Sequence, residues 1–161
     1  PDIARGDARP HAAPTSLTRL ASMLIGISPL LGPDLLHTLR SMGHGDEIAL
    51  VDGNYPAAEH ARRLIRADGI ALRPMLEAIL KLLPVEAAFR AAQGNTPPQA
   101  GPIHHRIDSL CAQCGQSFAV TPLDGDALYP RIRSAYAIIA TSEPALFANV
   151  ILRKAALAID L

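Results

Sequence analysis

The segment Gly43-His44-Gly45-Asp46-Glu47 sets one imidazole between two glycines, and Asp52 closes the short apolar run that follows it. Imidazole changes charge near neutral pH, so His44 is a group able to give or take a proton under physiological conditions. Glycines on either side permit positive φ and leave the ring uncovered, which suits a histidine that must meet a ligand. Asp52 falls at the carboxyl end of a candidate strand, the place where open α/β sheets present their ligand-binding residues. The same residue types also fit a turn histidine and a loop-capping aspartate, and each position taken alone leaves both readings open.

Other chemistry-bearing residues group less well. His104, His105, Cys111 and Cys114 are zinc-ligand types, but a single CxxC lacks the second paired motif of a zinc ribbon. The strand-to-helix context of a thioredoxin-type redox pair is missing as well. These four residues are read as an exposed helix end with incidental cysteines, and no metal is expected. Arg62, Arg63 and Arg66 form a short basic run that fits a solvated face or a contact between copies.

The chain around these residues has 161 positions, 15 Lys+Arg against 15 Asp+Glu, 49% hydrophobic residues and two cysteines. That is the length of one domain able to bury a sizeable core without staples. Zero formal charge, with no uncompensated basic cluster, argues against nucleic-acid binding. Two cysteines three apart cannot bridge distant segments, so an intracellular, cytoplasmic protein is expected. The longest uncharged stretch, Leu20 to Pro33, is interrupted by Gly26, Pro29 and Gly32 and is too short for a membrane span. No small-residue cleavage pattern follows it, against a signal peptide.

Residues 1–22 are rich in Pro and scattered charge and read as an extension, with Met23 a candidate internal start and the domain running over 23–161. Gly32-Pro33-Asp34 opens a helix carrying Leu35, Leu36, Leu39 and Met42 on one face, and Gly43 stops it. Glu47 to Asp52 is apolar on both alternating faces, as in a strand covered on both sides. Leu64 to Arg66 is a second strand. Asp68 or Gly69 opens a helix with Leu72, Met75, Leu76, Ile79, Leu80 and Leu83 as its apolar face, closed by Pro84. Val85 to Ala92 fits strand or helix, Asn95 to Pro102 a loop, and Ile103 to Cys114 a helix. Arg131 to Ala135 is the last helix, and Tyr136–Ala140 and Ala148–Arg153 are closing strands around the turn at Thr141-Ser142-Glu143-Pro144. The alternating order of strands and helices implies a layered α/β domain.

Four ordered motifs then resemble one family. Gly43-His44-Gly45-Asp46-Glu47, Asp52-Gly53-Asn54-Tyr55-Pro56-Ala57, Ile65-Arg66-Ala67-Asp68-Gly69 and Phe147-Ala148-Asn149-Val150-Ile151-Leu152 are similar to the L-fucose mutarotase and D-ribose pyranase family, nearer its fucose branch. The likeness runs from about Met23 to about Lys154 and is thin between Val85 and Gly125. It implies a single three-layer α/β/α domain with a mixed sheet, and an isomerase that interconverts anomers of a free monosaccharide without cofactor or metal. It also implies a ring-shaped homo-oligomer, often a decamer, with sugar sites between subunits. On the residues, it implies His44 as proton donor, Asp52 and Asn149 as sugar-binding groups, Phe147 packing on the sugar, and Tyr129 and Arg131 from a Tyr-x-Arg pattern. Tyr129 is then a second proton-transfer or binding group, although a core tyrosine fits equally.

Ring opening removes the anomeric hydroxyl proton while the ring oxygen gains one, a task matched to a group titrating near neutral pH. A strand from Glu47 to Val51 spans about 17 Å. His44 and Asp52 therefore meet one small sugar only if the glycine loop folds back or a second subunit contributes. Three departures bear on the identity of the sugar: Phe147 replaces the family's Tyr, Gly125 a basic residue, and Asn54-Tyr55 the His-Phe of Asp-Ala-His-Phe-Pro. The alternatives to a fucose mutarotase are a pyranase acting on ribose and a sugar-binding protein without catalysis.

Overall fold

The computed structural model describes residues 24–93 and 100–158. The extension at 1–22 and most of the expected loop at 95–102 lie outside them. Helix α1 (Pro33–Ser41) begins at the expected Pro and buries Leu35 and Leu39. Strand β1 (Glu47–Val51) follows, with every residue after Glu47 buried. Next come a single turn, α2 (Ala57–His60), and strand β2 (Leu64–Ala67). Helix α3 (Leu72–Leu80), strand β3 (Val85–Ala91) and helix α4 (Pro102–Gln113) make up the middle. Strand β4 (Ala119–Leu123), helix α5 (Gly125–Ser134), and strands β5 (Ala137–Thr141) and β6 (Val150–Lys154) complete the chain.

The six strands form one mixed sheet in the order β2-β5-β1-β6-β3-β4. Strands β2, β5 and β1 run parallel, β6 runs antiparallel to both β1 and β3, and β4 pairs parallel with β3. In β1 the alternation predicted by the pleat is plain. Ile48 and Leu50 join a core with α1, α3 and α4, whereas Ala49 and Val51 join a second core with Leu128 and Ile132 of α5 and Ala57 of α2. Apolar residues on both faces of one strand thus produce three layers, because each face needs its own helical cover.

The structure corrects several expectations. Helix α3 starts at Leu72, not at Asp68 or Gly69, because its cap comes from far along the chain: the buried Glu143 carboxylate accepts the Leu72 N–H at 3.2 Å. Val85–Ala91 is strand, settled by its ladder with β6. Strand β4 was not anticipated; it is a mostly exposed edge containing Pro122, a residue that weakens a strand signal and is tolerated only at edges. Helix α5 begins at Gly125, six residues before the expected Arg131, with Asp124 accepting the Ala127 N–H at 2.9 Å. Pro130 inside it masks the continuity. The closing strands β5 and β6 are not neighbours, since β1 lies between them.

Candidate active site

The antiparallel register sets Leu50 opposite Val150, so the residue after β1 and the residue before β6 emerge side by side at one end of the sheet. They are Asp52 and Asn149. The Asp52 backbone N–H donates to Asn149 Oδ1 at 3.0 Å, and Asp52 Oδ1 accepts the Asn54 N–H at 2.9 Å. The first bond fixes the orientation of the amide, because only its oxygen can accept. Both side chains are buried, yet both line an open cleft of about 330 Å³. These bonds engage Asn149 Oδ1 and Asp52 Oδ1, so the Asn149 Nδ2 donor and the second Asp52 carboxylate oxygen are the polar atoms the pair has left for a ligand.

Phe147 enters the same cleft from the loop before β6. It is the one non-glycine residue with positive φ among the described residues, at 59°, a conformation that costs an aromatic residue on the order of 1–3 kcal/mol. Its carbonyl is held by His104. His104, buried in α4, accepts the Gly101 N–H on Nδ1 at 2.8 Å, so its Nε2–H donates to the Phe147 carbonyl at 2.9 Å. Burial pushes His104 below the ordinary histidine range and keeps it neutral. The residue read from sequence as part of an exposed helix end is therefore a buried brace behind the cleft.

Helix α5 contributes Tyr129 and Arg133, one turn apart on one face. Tyr129 is 36% exposed, which removes the core reading. A Cβ on Gly125 would stand 3.0 Å from the Tyr129 ring, so glycine here lets that ring lie back against the helix start. Arg131, two residues from Tyr129, faces elsewhere. It grips Glu47 through Nε at 2.9 Å, lies over the Phe89 ring at 3.5 Å, and shares Glu47 with Arg153. It does not line the cleft.

His44 stands at the opposite end of β1. The loop does not fold back: Gly45 N–H donates to the Lys154 carbonyl at 2.9 Å, at the far end of β6. The imidazole Nε2 is 2.8 Å from Glu86 Oε2, and the side chain is 61% exposed. Of its flanking glycines, Gly45 takes positive φ, at 84°. Five strand residues, about 17 Å, separate His44 from the cleft within one copy of the chain.

Tyr55, His60 and Arg133 also line the cleft, and the sequence reading gave them no role. Arg133 was recoverable by periodicity, since i and i+4 share a helix face and i and i+2 do not; placing the helix start at Arg131 hid that relation. Tyr55 lies inside the Asp52–Ala57 motif, but its hydroxyl has no meaning until His60 is seen beside it. Cys111 is in the core, its thiol pushed up to about 12 by burial, and the Cys114 thiol donates to the Cys111 carbonyl. Among the described residues no three His, Cys, Asp or Glu side chains are grouped to hold a metal ion.

Comparison with known proteins agrees with this architecture. The model of the RbsD / FucU transport protein family matches residues 25–157. The fucose mutarotase of Homo sapiens is 38% identical over 148 residues, covering 85% of this chain and 96% of that one. The L-fucose mutarotase of Glaesserella parasuis is 38% identical over 140 residues, covering 82% and 94%. Among solved structures, the fucose mutarotase of Streptococcus pneumoniae in complex with L-fucose superposes with a TM-score of 0.77 at 36% identity, over 84% of this chain and 100% of that one. With a family match across nearly all the described residues, and a fold that superposes on a solved relative over its whole length, the chain belongs to the RbsD/FucU family.

Proposed function

We propose that this protein is an isomerase that interconverts the α and β anomers of L-fucose by acid–base opening and reclosure of the sugar ring. The observation that carries the reading is the cleft itself. Asp52 and Asn149, locked to each other by a backbone bond, present an acceptor and a donor to sugar hydroxyls, in a chain 36% identical to a mutarotase solved with L-fucose. Phe147 and Leu146 supply apolar surface at its mouth, and Tyr129 a hydroxyl for binding or proton transfer.

In this reading His44 is the general acid, delivered to the cleft by a second copy of the chain. The separation along β1 supports a shared site, and so does the apolar rim of Leu146, Phe147 and Tyr129 left exposed on a single copy. A closed ring of copies, decameric as the resemblance implies, would bring every His44 to a neighbour's cleft. Arg131 serves by holding α5 against β1, and Arg133 takes the place at the sugar. The catalytic domain begins near residue 23, with 1–22 an extension. Two unpaired cysteines fit a cytoplasmic setting, and among the described residues no helix is long and apolar enough to cross a membrane.

Saturation-transfer NMR of anomer exchange with L-fucose, D-ribose, D-galactose and D-glucose tests the activity, and enhancement with L-fucose is expected. Ring-form exchange of D-ribose alone would make the protein a pyranase. Binding without exchange would make it a sugar-binding protein. Mixing His44→Ala with Asp52→Asn, dissociated and reassembled together, tests the shared site. Random assembly restores up to about a quarter of the intact sites if the two residues come from different copies. No recovery would assign both to one copy.

A further inference from the structure

The cleft holds a hydrogen-bonded pair that the expected roles leave unused. Tyr55 Oη lies 3.0 Å from His60 Nδ1, and the two rings meet edge to face at 5.4 Å and 71°. The Tyr55 ring is 6.1 Å from that of Tyr129, and Tyr55, His60, Asp52 and Asn149 all line the same cleft. The geometry is fixed locally. Pro56 and the single turn of α2, with Ala57 N–H on the Tyr55 carbonyl and His60 N–H on that of Pro56, bring residues five apart in sequence face to face. Phe147 carries no hydroxyl at the cleft mouth, so beside Tyr129 the phenol available here is that of Tyr55.

We propose that the Tyr55 hydroxyl, backed by His60, is the proton-accepting group of the sugar cleft. The proposal rests on the mutarotase reading and adds to it the base that the general acid needs. In the His60 tautomer that carries its proton on Nε2, Nδ1 accepts the Tyr55 O–H. As the ring opens, the anomeric hydroxyl proton moves to Tyr55 Oη while the Tyr55 proton passes to His60 Nδ1. The electron pair left on the anomeric oxygen forms the carbonyl. The bond from the anomeric carbon to the ring oxygen breaks toward that oxygen, which takes a proton from the general acid. Rotation of the aldehyde and the reverse transfers close the ring on its other face and restore both groups. Burial holds the Tyr55 phenol above its ordinary range, against the opposing pull of the Arg133 guanidinium. At neutral pH Tyr55 is thus a phenol that needs His60 to take its proton rather than a preformed phenolate.

The test is steady-state anomer exchange of L-fucose by saturation-transfer NMR for the wild type, Tyr55→Phe, His60→Gln and the double variant. Tyr55→Phe keeps the ring packing, and His60→Gln keeps an acceptor for the phenol without a ring nitrogen to take up its proton. Loss of the relay lowers kcat on the order of 100-fold in Tyr55→Phe. KM stays within about threefold, and the double variant is no slower than the worse single one, because the two act as a unit. A rise in KM at unchanged kcat would overturn the proposal and make Tyr55 a binding residue only. Wild-type kcat in both variants would overturn it while leaving the mutarotase reading standing. Absence of enhanced exchange in the wild type itself would overturn both.

Discussion

The two ends of strand β1 are built in opposite ways. At its carboxyl end Asp52 and Asn149 are buried and bound to each other and to backbone, and the Phe147 backbone is braced from behind by neutral His104. At its amino end His44 is exposed and holds one side-chain partner, Glu86, across the surface. Side chains that must fix hydroxyls in space gain from rigid, desolvated support, since misplacement weakens every hydrogen bond they make. A proton donor offered to another molecule must instead stay accessible, and a surface ion pair restrains it weakly. The difference suits a site assembled from the rigid end of one copy and the exposed end of another.

The contrast is sharpest at His44 itself. His44→Ala is expected to lower anomer exchange by about 10²–10⁴-fold, the usual share of a general acid, while leaving the melting temperature unchanged because the side chain packs on little. Exchange that survived the substitution, read by saturation-transfer NMR, would remove His44 from the chemistry. The opposite pattern is expected at Asn149. Asn149→Ala leaves the Asp52 N–H without its acceptor, so thermal unfolding should show a loss of about 1–3 kcal/mol together with weakened sugar binding. A variant as stable as wild type would mean that the cleft end is not the rigid one.

His104 makes the same point through pH. Its folded-state pKa is lowered by burial, so the native state binds less proton than the unfolded chain around and below the ordinary value of 6.5. The contribution of neutral His104 is complete above that pH and is lost as pH falls through it. His104→Gln should be less stable at neutral pH by about 1–2 kcal/mol, through its shortened reach to Gly101 and Phe147. Its urea-unfolding free energy should also fall less steeply than wild type between neutral pH and pH 5. Parallel pH profiles would place the titrating group elsewhere. The smallest effect belongs to Glu86→Gln, which alters an exposed pair worth at most about 1 kcal/mol. A melting-temperature change beyond that scale would show the amino end to be more tightly organised than its exposure implies.

Much of this was legible in residue order. The two-faced apolar run of β1 required helices on both sides, Gly32-Pro33 marked the start of α1, and the apolar stripe of α3 gave its buried face. His44 and Asp52 drew notice by residue type, beside glycines and at a strand end, while Asn149 was singled out only by the resemblance of its motif to the family. Tyr55, His60 and Arg133 were given no role, since their meaning lies in a shared cleft and no spacing rule joins α2 to α5. Strand β4 was silent for a related reason: a mostly exposed edge carrying Pro122 has neither alternation nor continuity to read.

The sequence by itself determined the layered α/β class, the main helical and strand segments of its two-sided core and a first pair of candidate residues, His44 and Asp52, because periodicity, capping and side-chain chemistry are local properties. Only the tertiary structure decided that β1 separates β5 from β6, that Arg131 serves Glu47 while Arg133 faces the cleft, and that His44 and Asp52 lie at opposite ends of one strand. Those outcomes follow from strand pairing and from packing between segments distant in the chain, where the favourable contact for each side chain is set by neighbours that local sequence does not contain.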